Sequence, residues 1–317
     1  MKKVLIGSCG GVTGLYLSKL FRTSIGIECE LWGLDAESAF ATEQHLDKFC
    51  ECPKSTNKDE FITFLIDFVN SNGINYYLPT HSLETRTVSE YENIIRANSE
   101  TKFIVSPYET YRALDNKRNC TQSFKRIGLN VPKIYCDNEA IDFPVFAKPE
   151  IGSGSKGSFF IHSIDELLYY RKKEPTLLVM ENLKGKEYTV DVVFDNEGAL
   201  ITYNQRIRLK QQSGATIYTR NDFQIDVYDD LVNISKYYIC KGVVNLQFFL
   251  VNGEAYYTDV NLRYASGGLP LSVESGIDLA KLLIELMDGN HIDRSLYQSD
   301  RKNRIMYRFY DERFDIL

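Results

Sequence analysis

The sequence lacks the excess of positive charge that a nucleic-acid-binding protein needs. Lys and Arg number 37 against 43 Asp and Glu, which gives a net charge of −6. Because contacts with nucleic-acid phosphates require a basic face, this balance argues against a nucleic-acid partner. A long apolar run is also missing: the best candidate, residues 61–69, is interrupted by Asp67 and is far shorter than a membrane span. We therefore expect neither nucleic acid nor membrane among the partners.

A cysteine framework is absent as well. The seven cysteines are scattered, and only Cys50 and Cys52 are close, at a spacing that suits neither a zinc site nor a redox pair. An odd, unpatterned set predicts reduced thiols and a cytoplasmic location. Histidine is scarce, with four residues, and there is no Gly-x-Ser-x-Gly nucleophile motif. The start of the chain has the charges of a signal peptide but not its apolar length, so it predicts a first strand.

The 317 residues are enough for two or three packed units. Predicted strands and helices alternate over the first hundred residues, which indicates a doubly wound α/β unit with a parallel sheet. Short strands around a glycine-serine loop follow, and the chain is strand-rich after that. We predict strands over 2–7, 28–34, 74–78, 103–105, 145–148 and 158–161, helices over 12–22, 61–70, 83–96, 115–127, 164–171, 229–240 and 278–287, and a hairpin over 243–262.

A polar pattern on the predicted hairpin is the most informative chemical signal. Gln247 lies on its first strand, and Asp259, Asn261 and Arg263 follow one another at every second position of the other strand. Because side chains alternate faces along a strand, the last three share a face. Hard oxygen ligands beside a cation suit Mg²⁺ bound to a polyphosphate. A hairpin with ordinary polar residues on its solvent face gives the same pattern.

The turn of this hairpin decides whether Gln247 and Asp259 can share a metal ion. Asn252-Gly253 suggests a two-residue type I′ turn, which places Asp259 opposite Leu246 and turns Gln247 to the other face. A three-residue loop with a bulge at Gly253 brings both residues onto one face. The metal interpretation therefore requires an odd-numbered loop or a bulge elsewhere in the hairpin, with a positive φ at Gly253.

A glycine-rich loop, residues 7–14, follows the first predicted strand and opens the first helix. Asp35 ends the second strand, about where a ribose-binding acid lies in dinucleotide-binding folds. The glycine spacing is not Gly-x-Gly-x-x-Gly, and glycines also permit close packing of a strand on a helix. An NAD(P)-binding oxidoreductase is therefore an alternative function.

Two further segments have the residue types of a nucleotide site. Lys148 ends a predicted strand and precedes a glycine-serine loop, residues 152–157, whose backbone amides can cradle phosphate. The loop is not a Walker motif, and a flexible polar hairpin has the same composition. Glu181, Leu183 and Glu187 lie around a strand crossing, where backbone groups can contact adenine and a carboxylate can accept hydrogen bonds from ribose. Two surface glutamates near a turn are the alternative.

Taken in order along the chain, these segments resemble the ATP-grasp superfamily, and most closely its carbamoyl phosphate synthetase-like and carboxylate–amine ligase branches. The resemblance covers residues 107–290, and the preceding unit is similar to the α/β domain that usually comes before this fold. It implies an α/β pre-ATP-grasp domain over 1–106, followed by a two-lobed α+β ATP-grasp fold with an N-lobe and its glycine-loop lid over 107–180 and a C-lobe with the metal-binding hairpin over 181–317.

The sequence departs from the family pattern at three places. Asp259 stands where glutamate is usual, so its shorter side chain suits one metal ion better than a bridge between two. Leu262 replaces the usual proline of Asn-Pro-Arg, and Asp115-Asn116-Lys117 has one residue more than the usual Asp-Lys. These departures keep open a third function, a nucleotide-binding module without catalysis.

The resemblance implies a ligase that uses ATP and Mg²⁺, or Mn²⁺ in its place, to activate a carboxylate as an acyl phosphate for attack by an amine or ammonia. The partners would be these small molecules and a second copy of the chain in a homodimer. The implied site residues are Lys117 and Lys148 on phosphate, Gly152, Ser153, Gly154, Ser155 and Gly157 in the lid, Glu181 and Leu183 on adenine, Glu187 on ribose, Gln247, Asp259 and Asn261 on the metal, and Arg263 with Lys148 in catalysis.

The acceptor acid has a weaker signal. Arg206, Arg208 and Lys210 alternate along a predicted strand, so they point the same way, and arginine forks suit a carboxylate. An exposed edge strand kept soluble by charge explains the same pattern. Two small-residue loops, 213–214 and one that contains Gly267, could close on the acid. The residues name neither the acid nor the amine.

Overall fold

The computed structural model describes residues 1–136, 139–152, 157–212 and 215–309. Its strands are β1 Lys2–Ile6, β2 Cys29–Asp35, β3 Lys48–Glu51, β4 Tyr76–Leu78, β5 Val145–Pro149, β6 Phe159–Ile161, β7 Leu177–Glu181, β8 Lys186–Phe194, β9 Leu200–Gln212, β10 Ala215–Asn221, β11 Gly242–Val251, β12 Glu254–Asn261 and β13 Ile305–Tyr307. Its helices are α1 Val12–Thr23, α2 Phe40–Glu43, α3 Lys58–Asn72, α4 Ser82–Glu90, α5 Glu92–Asn98, α6 Tyr108–Leu114, α7 Lys117–Arg126, α8 Ile164–Lys173, α9 Tyr228–Tyr237, α10 Leu269–Glu274 and α11 Leu279–Met287, with a 3₁₀ turn at Arg294–Tyr297.

The N-terminal unit is built on a parallel sheet with strand order β3-β2-β1-β4. Apolar side chains of β1 and β2 are buried on both faces, as expected for a parallel sheet covered by helices. The predicted α/β domain with a parallel sheet is therefore confirmed.

Two predictions in this unit were wrong in detail, and strand β3 was missed. Residues 103–105 form no strand, and the neighbouring Lys102 makes just an isolated bridge to Tyr76. The helix predicted over 83–96 is two helices, α4 and α5, which are separated at Tyr91, where φ is −104° and ψ is 15°. Strand β3 was not predicted, since four half-exposed residues carry too little alternation to be recognised.

The second part of the chain contains a six-stranded antiparallel sheet with order β12-β11-β8-β9-β10-β13 and a three-stranded antiparallel sheet with order β6-β5-β7. The smaller sheet and α8 share a core of their own, which includes Val145, Ile161, Leu167 and Val179. These two sheets are the lobes of the predicted ATP-grasp architecture, and the cleft between them holds the site described below.

The segment that enters the ATP-grasp region packs on the larger sheet. Tyr111 of α6 and Phe124 of α7 belong to the same hydrophobic core as β8 and β11. The helix predicted to start at residue 115 starts at Lys117, because the Asn116 side chain accepts a hydrogen bond from the Asn119 amide and caps it. The residue inserted before Lys117 is thus the helix cap. The domain bounds 107–180 and 181–317 remain our proposal.

The last long helix joins the two halves of the molecule. Apolar residues of α11, among them Leu282, Leu283 and Leu286, pack in one core with Val4 and Leu17 of the N-terminal unit. Burying such side chains contributes about 1.5–3 kcal/mol each, so this core couples the two halves. Among the described residues, no helix is both long enough and apolar enough to cross a membrane.

Candidate active site

The hairpin of β11 and β12 places Gln247 and Asp259 directly opposite each other. Its turn has two residues, with φ of 52° at Asn252 and 88° at Gly253, as a type I′ turn requires. The three-residue loop is therefore wrong, and the positive φ at Gly253 is confirmed. A bulge elsewhere restores the parity: the pairing shifts between Gln247 and Phe248, so that Thr258 is the extra residue.

Two cavities meet at this pair. One, of about 350 Å³, lies between the two lobes, and the other, of about 560 Å³, lies between the large sheet and the N-terminal unit. Gln247, Asp259 and Arg208 line both of them. We call them the interlobe cavity and the interdomain cavity. A group bound at their junction can contact molecules in each.

The interlobe cavity combines an apolar wall with two buried lysines. Its apolar side comes from both lobes, and the ammonium groups belong to Lys117 and Lys148, which are 8% and 6% exposed. Lys148 Nζ donates to the Thr258 carbonyl at 3.0 Å, so the bulge provides its acceptor. Lys117 Nζ donates to the Gly152 carbonyl at 2.6 Å. The apolar side consists of Pro132, Phe146, Phe160, Met180, Leu183 and Phe249.

Burial lowers the pKa of Lys148, although Asp259 opposes this shift. Two ammonium groups close to one carboxylate leave local positive charge, which suits a polyphosphate. The predicted lid residues Ser153, Gly154 and Ser155 lie outside the described residues. Gly157, with φ of 73°, follows them and packs near Pro149.

The predicted adenine and ribose residues line the same cavity. Glu181, Leu183 and Glu187 all contribute to its wall. Glu187 Oε1 accepts from Arg208 Nη1 at 2.5 Å, and its Oε2 accepts from Gln211 Nε2 at 2.8 Å. Arg208 was predicted to bind the acceptor acid, but it also contacts Glu187, the carboxylate predicted to bind ribose. Arg208 therefore links the two cavities.

Arg206 lies deep in the other cavity. Strand β9 lies between β8 and β10, so the alternative of an exposed edge strand is wrong, and Arg206 is 1% exposed. Its Nε and Nη2 donate to the two oxygens of Asp191 at 3.3 and 3.4 Å. Gly268 approaches so closely that a Cβ there would lie 1.9 Å from the guanidinium carbon. Gly267, with φ of 87°, turns the chain at this point but does not line the cavity.

Arg263 connects the hairpin with the N-terminal unit. Its Nε donates to Ser82 Oγ at 2.5 Å, and its Nη2 donates to Asn261 Oδ1 at 3.1 Å. Burial lowers the pKa of Arg263, and the nearby Asp259 offsets this shift only in part. The guanidinium is thus held beside the predicted metal ligands Asp259 and Asn261, inside the interdomain cavity.

The N-terminal glycine loop forms the opposite wall of this cavity. Asp35 accepts backbone hydrogen bonds at both oxygens, from Gly10 at 2.8 Å and from Ala36 at 2.7 Å. A Cβ on Gly7 would lie 1.8 Å from a carboxylate oxygen of Glu84, and one on Gly14 would lie 2.5 Å from the backbone of Cys9. These glycines therefore permit close packing, which was the alternative to dinucleotide binding.

Sequence reasoning missed several residues of the site. Thr258, whose carbonyl faces Lys148, was not singled out, because a bulge position has no sequence mark of its own. Gln211 and Asp191 support Glu187 and Arg206 from neighbouring strands. Ser82 contacts Arg263 across 181 positions of the chain, so no local pattern could have found it.

A search of protein families finds one family model, described as "ATP-grasp in the biosynthetic pathway with Ter operon", which matches residues 173–308. Among curated proteins, the chain is similar to the carbamoyl phosphate synthase large chain of Clostridium beijerinckii, with 26% identity over 210 residues. That match covers 59% of this chain and 20% of the relative. The chain therefore spans about a fifth of the length of the curated relative that it matches.

Solved structures share the fold over nearly the whole chain. The N5-carboxyaminoimidazole synthetase of Staphylococcus aureus, solved with ADP, has a TM-score of 0.75 and 14% identity, and the match covers 97% of this chain and 82% of that one. The biotin carboxylase domain of the Hydrogenobacter thermophilus 2-oxoglutarate carboxylase, solved as a dimer with MgADP, ADP and bicarbonate, has a TM-score of 0.72 and 14% identity, with coverage of 95% and 72%. At this identity the likeness concerns the fold.

Proposed function

With its ATP-grasp fold and its resemblance to that superfamily confirmed, we propose that this chain is an ATP- and Mg²⁺-dependent ligase. It activates a carboxylate as an acyl phosphate, which an amine or ammonia then attacks. The observation that carries the proposal is the junction of the two cavities at Gln247 and Asp259. A nucleotide in the interlobe cavity and an acid in the interdomain cavity would meet there.

The donor set at the junction fits Mg²⁺. Asp259 offers a carboxylate, and Gln247 and Asn261 offer amide oxygens, which are the hard ligands that this ion prefers. Within the described ranges, no group of three or more His, Cys, Asp or Glu could hold a metal ion by itself. The nucleotide phosphates would therefore complete the coordination, as is usual for Mg²⁺ in phosphoryl transfer. When bound, the ion neutralises charge on the β- and γ-phosphates.

The remaining residues have roles that follow from their positions. Lys117 and Lys148 bind phosphate oxygens, and Arg263 stabilises the charge of the phosphoryl group during transfer. Glu181, Leu183 and Glu187 hold the nucleoside. The acid attacks the γ-phosphorus through a carboxylate oxygen, and the bond to the oxygen that bridges the β- and γ-phosphates breaks and releases ADP. The amine nitrogen then attacks the acyl carbon, inorganic phosphate leaves, and the amine loses a proton to water.

Nucleotide binding is the first test. We expect MgADP and MgATP to raise the melting temperature and NAD to leave it unchanged, with ADP release on addition of a suitable acid and amine. A ligand at about a hundred times its dissociation constant adds roughly 2.7 kcal/mol of stability. Stabilisation by NAD without a response to ATP would instead favour the oxidoreductase, and nucleotide binding without ADP release over a broad panel would favour the module without catalysis.

The assembly state is a separate proposal. The biotin carboxylase neighbour was solved as a domain dimer, and we propose a homodimer for this chain on that analogy. Sedimentation over a range of concentrations distinguishes a dimer from a monomer.

A further inference from the structure

We propose that the acid used at this site carries two anionic groups, one that is phosphorylated near Asp259 and a second that Arg206 binds. The inference rests on the proposed function, because it specifies the class of acid that the ligase accepts. It assigns Arg206 to the end of the substrate that does not react.

The register of the large sheet sets the distance between the two ends. Asp259 pairs with Gln247, Gln247 with Thr189, and Thr189 with Arg206, so these four residues form one row across four adjacent strands. Neighbouring strands lie about 4.8 Å apart. The backbone positions of Asp259 and Arg206 are therefore separated by about 14 Å, three strand spacings. The Arg206 side chain reaches towards Asp191 on the neighbouring strand β8, so its guanidinium lies closer to Asp259 than its backbone does, and an acid that contacts both residues extends over the strands between them.

Arg206 has one side of its guanidinium satisfied and one nitrogen without a hydrogen-bond partner. Asp191 takes Nε and Nη2, and the carboxylate is itself fixed by Ser272 Oγ at 2.6 Å and Asn245 Nδ2 at 2.8 Å. Nη1 is buried and has no hydrogen-bond partner in the described part of the chain. Folded proteins rarely leave a buried donor of this kind without a partner, so this nitrogen requires an acceptor that the described residues do not supply. An anion meets this requirement through a charge-assisted hydrogen bond.

The surroundings of Arg206 suit the end of a small acid. Thr189, Thr216 and Ser266 line the same cavity and add neutral hydroxyl groups, while Arg263 stands at the hairpin end. The cavity of about 560 Å³ extends between these two cationic ends. A four-atom acid such as bicarbonate would fill only one of them. A dicarboxylate, or a carboxylate with a phosphate or phosphonate, reaches both.

The test measures binding, which does not depend on turnover. Isothermal titration in the presence of MgADP compares straight-chain dicarboxylates from malonate to adipate with monocarboxylates of equal length. A third series of ω-phosphonocarboxylates distinguishes a carboxylate from a phosphoryl group at Arg206. We expect wild-type protein to bind a dianionic acid of the matching length at least tenfold more tightly than the monocarboxylate. This comparison needs no variant and so does not depend on a variant folding.

Variants then assign the preference to Arg206. Arg206→Lys keeps the charge beside Asp191 but loses the arginine fork, and we expect it to lose at least tenfold in affinity for the dianionic acid and little for the monocarboxylate. Arg220→Gln, on the neighbouring strand and about half exposed, is the control and should match the wild type. If monocarboxylates bind as tightly as dianionic acids, if no acid binds, or if the preference survives in Arg206→Lys, the inference is overturned.

The proposed function is judged by a different readout. ADP release with monocarboxylates but not with dianionic acids would support the ligase function and contradict the proposed second anionic group. Tight binding of a dianionic acid without ADP release would support the inference and contradict catalysis.

Discussion

Lys148 is a lysine that folding has moved almost completely out of water. It is 6% exposed, its ammonium donates to the Thr258 carbonyl, and burial lowers its pKa. A buried charge with one backbone acceptor is costly unless a further anion arrives. The position is therefore better explained by ligand binding than by stability.

We predict that Lys148→Met weakens MgADP binding at least tenfold, about 1.4 kcal/mol, because the phosphates lose a charge-assisted donor. Titration calorimetry measures this. Lys133→Met, which changes an exposed lysine of the same lobe, is the matched control. Since a neutral lysine binds phosphate poorly, wild-type affinity should also fall as the pH rises toward the lowered pKa of Lys148, and the affinity of Lys148→Met should not. Equal affinity of wild type and Lys148→Met would remove this residue from the phosphate site.

Arg206 and Arg208 show why single-residue predictions have a limit. Because the two arginines lie two positions apart on one strand, the sequence predicts the same role for both, and they do face the same side of the sheet. Their partners differ, because Asp191 pairs with Arg206 and Glu187 with Arg208. One arginine belongs to the interdomain cavity alone and the other to both.

At the scale of elements, the hairpin β11–β12 depends on two local features. The type I′ turn needs left-handed backbone at Asn252 and Gly253, and the bulge at Thr258 then brings Asp259 opposite Gln247. The turn fixes the register from one end, and the bulge shifts it by one residue before the site. Neither feature alone would put the two residues together.

Gly253→Val should lower the free energy of unfolding by about 1–3 kcal/mol, because a β-branched residue is strained at a φ of 88°. A Cβ at this position meets no atom within 4 Å, so the effect would come from the backbone and not from a clash. Urea denaturation measures the change. Gly253→Asn is the control, since asparagine tolerates this conformation, and it should lose clearly less. Equal stability of the valine variant and the wild type would contradict the strain.

At the scale of the whole molecule, Asp288 connects the N-terminal unit to the end of α11. Its carboxylate accepts from Lys102 at 2.6 Å, from Tyr76 at 2.9 Å and from Lys2 at 3.2 Å. Burial raises the pKa of Asp288, but these hydrogen bonds outweigh it and hold the pKa below its ordinary value of 3.8. The contact lies beside the core that α11 shares with β1 and α1.

Asp288→Asn should therefore reduce the free energy of unfolding at pH 7 by roughly 1–2 kcal/mol, since it weakens hydrogen bonds between charged groups that are partly exposed. A carboxyl with a lowered folded pKa stabilises above its unfolded pKa and loses this contribution as the pH falls through the folded value. The difference between the two proteins should thus shrink as the pH falls below about 4 and disappear only below the folded pKa of Asp288. Urea denaturation at several pH values checks this, with the exposed Asp67→Asn as control. A difference that persists unchanged at low pH would show that the effect does not come from the negative charge of Asp288.

The sequence by itself determined the elements whose signals are local. Alternating strands and helices predicted the parallel sheet, whereas the ATP-grasp fold followed from a family resemblance, carried by the order of Lys148, the glycine loop, Glu187 and the hairpin. The strand and helix signals are readable because periodicity and turn residues act over a few positions. The roles of the individual site residues remain predictions.

Only the tertiary structure decided which of these residues meet. The bulge at Thr258 and the division of Arg206 and Arg208 between two carboxylates depend on the pairing of neighbouring strands, and the contact of Arg263 with Ser82 joins parts of the chain that are 181 positions apart. The burial of α11 against the N-terminal sheet likewise joins distant parts of the chain. The physical reason is that partner choice across a sheet follows from register, and a shift of one residue, which leaves no local mark, reverses every side chain beyond it.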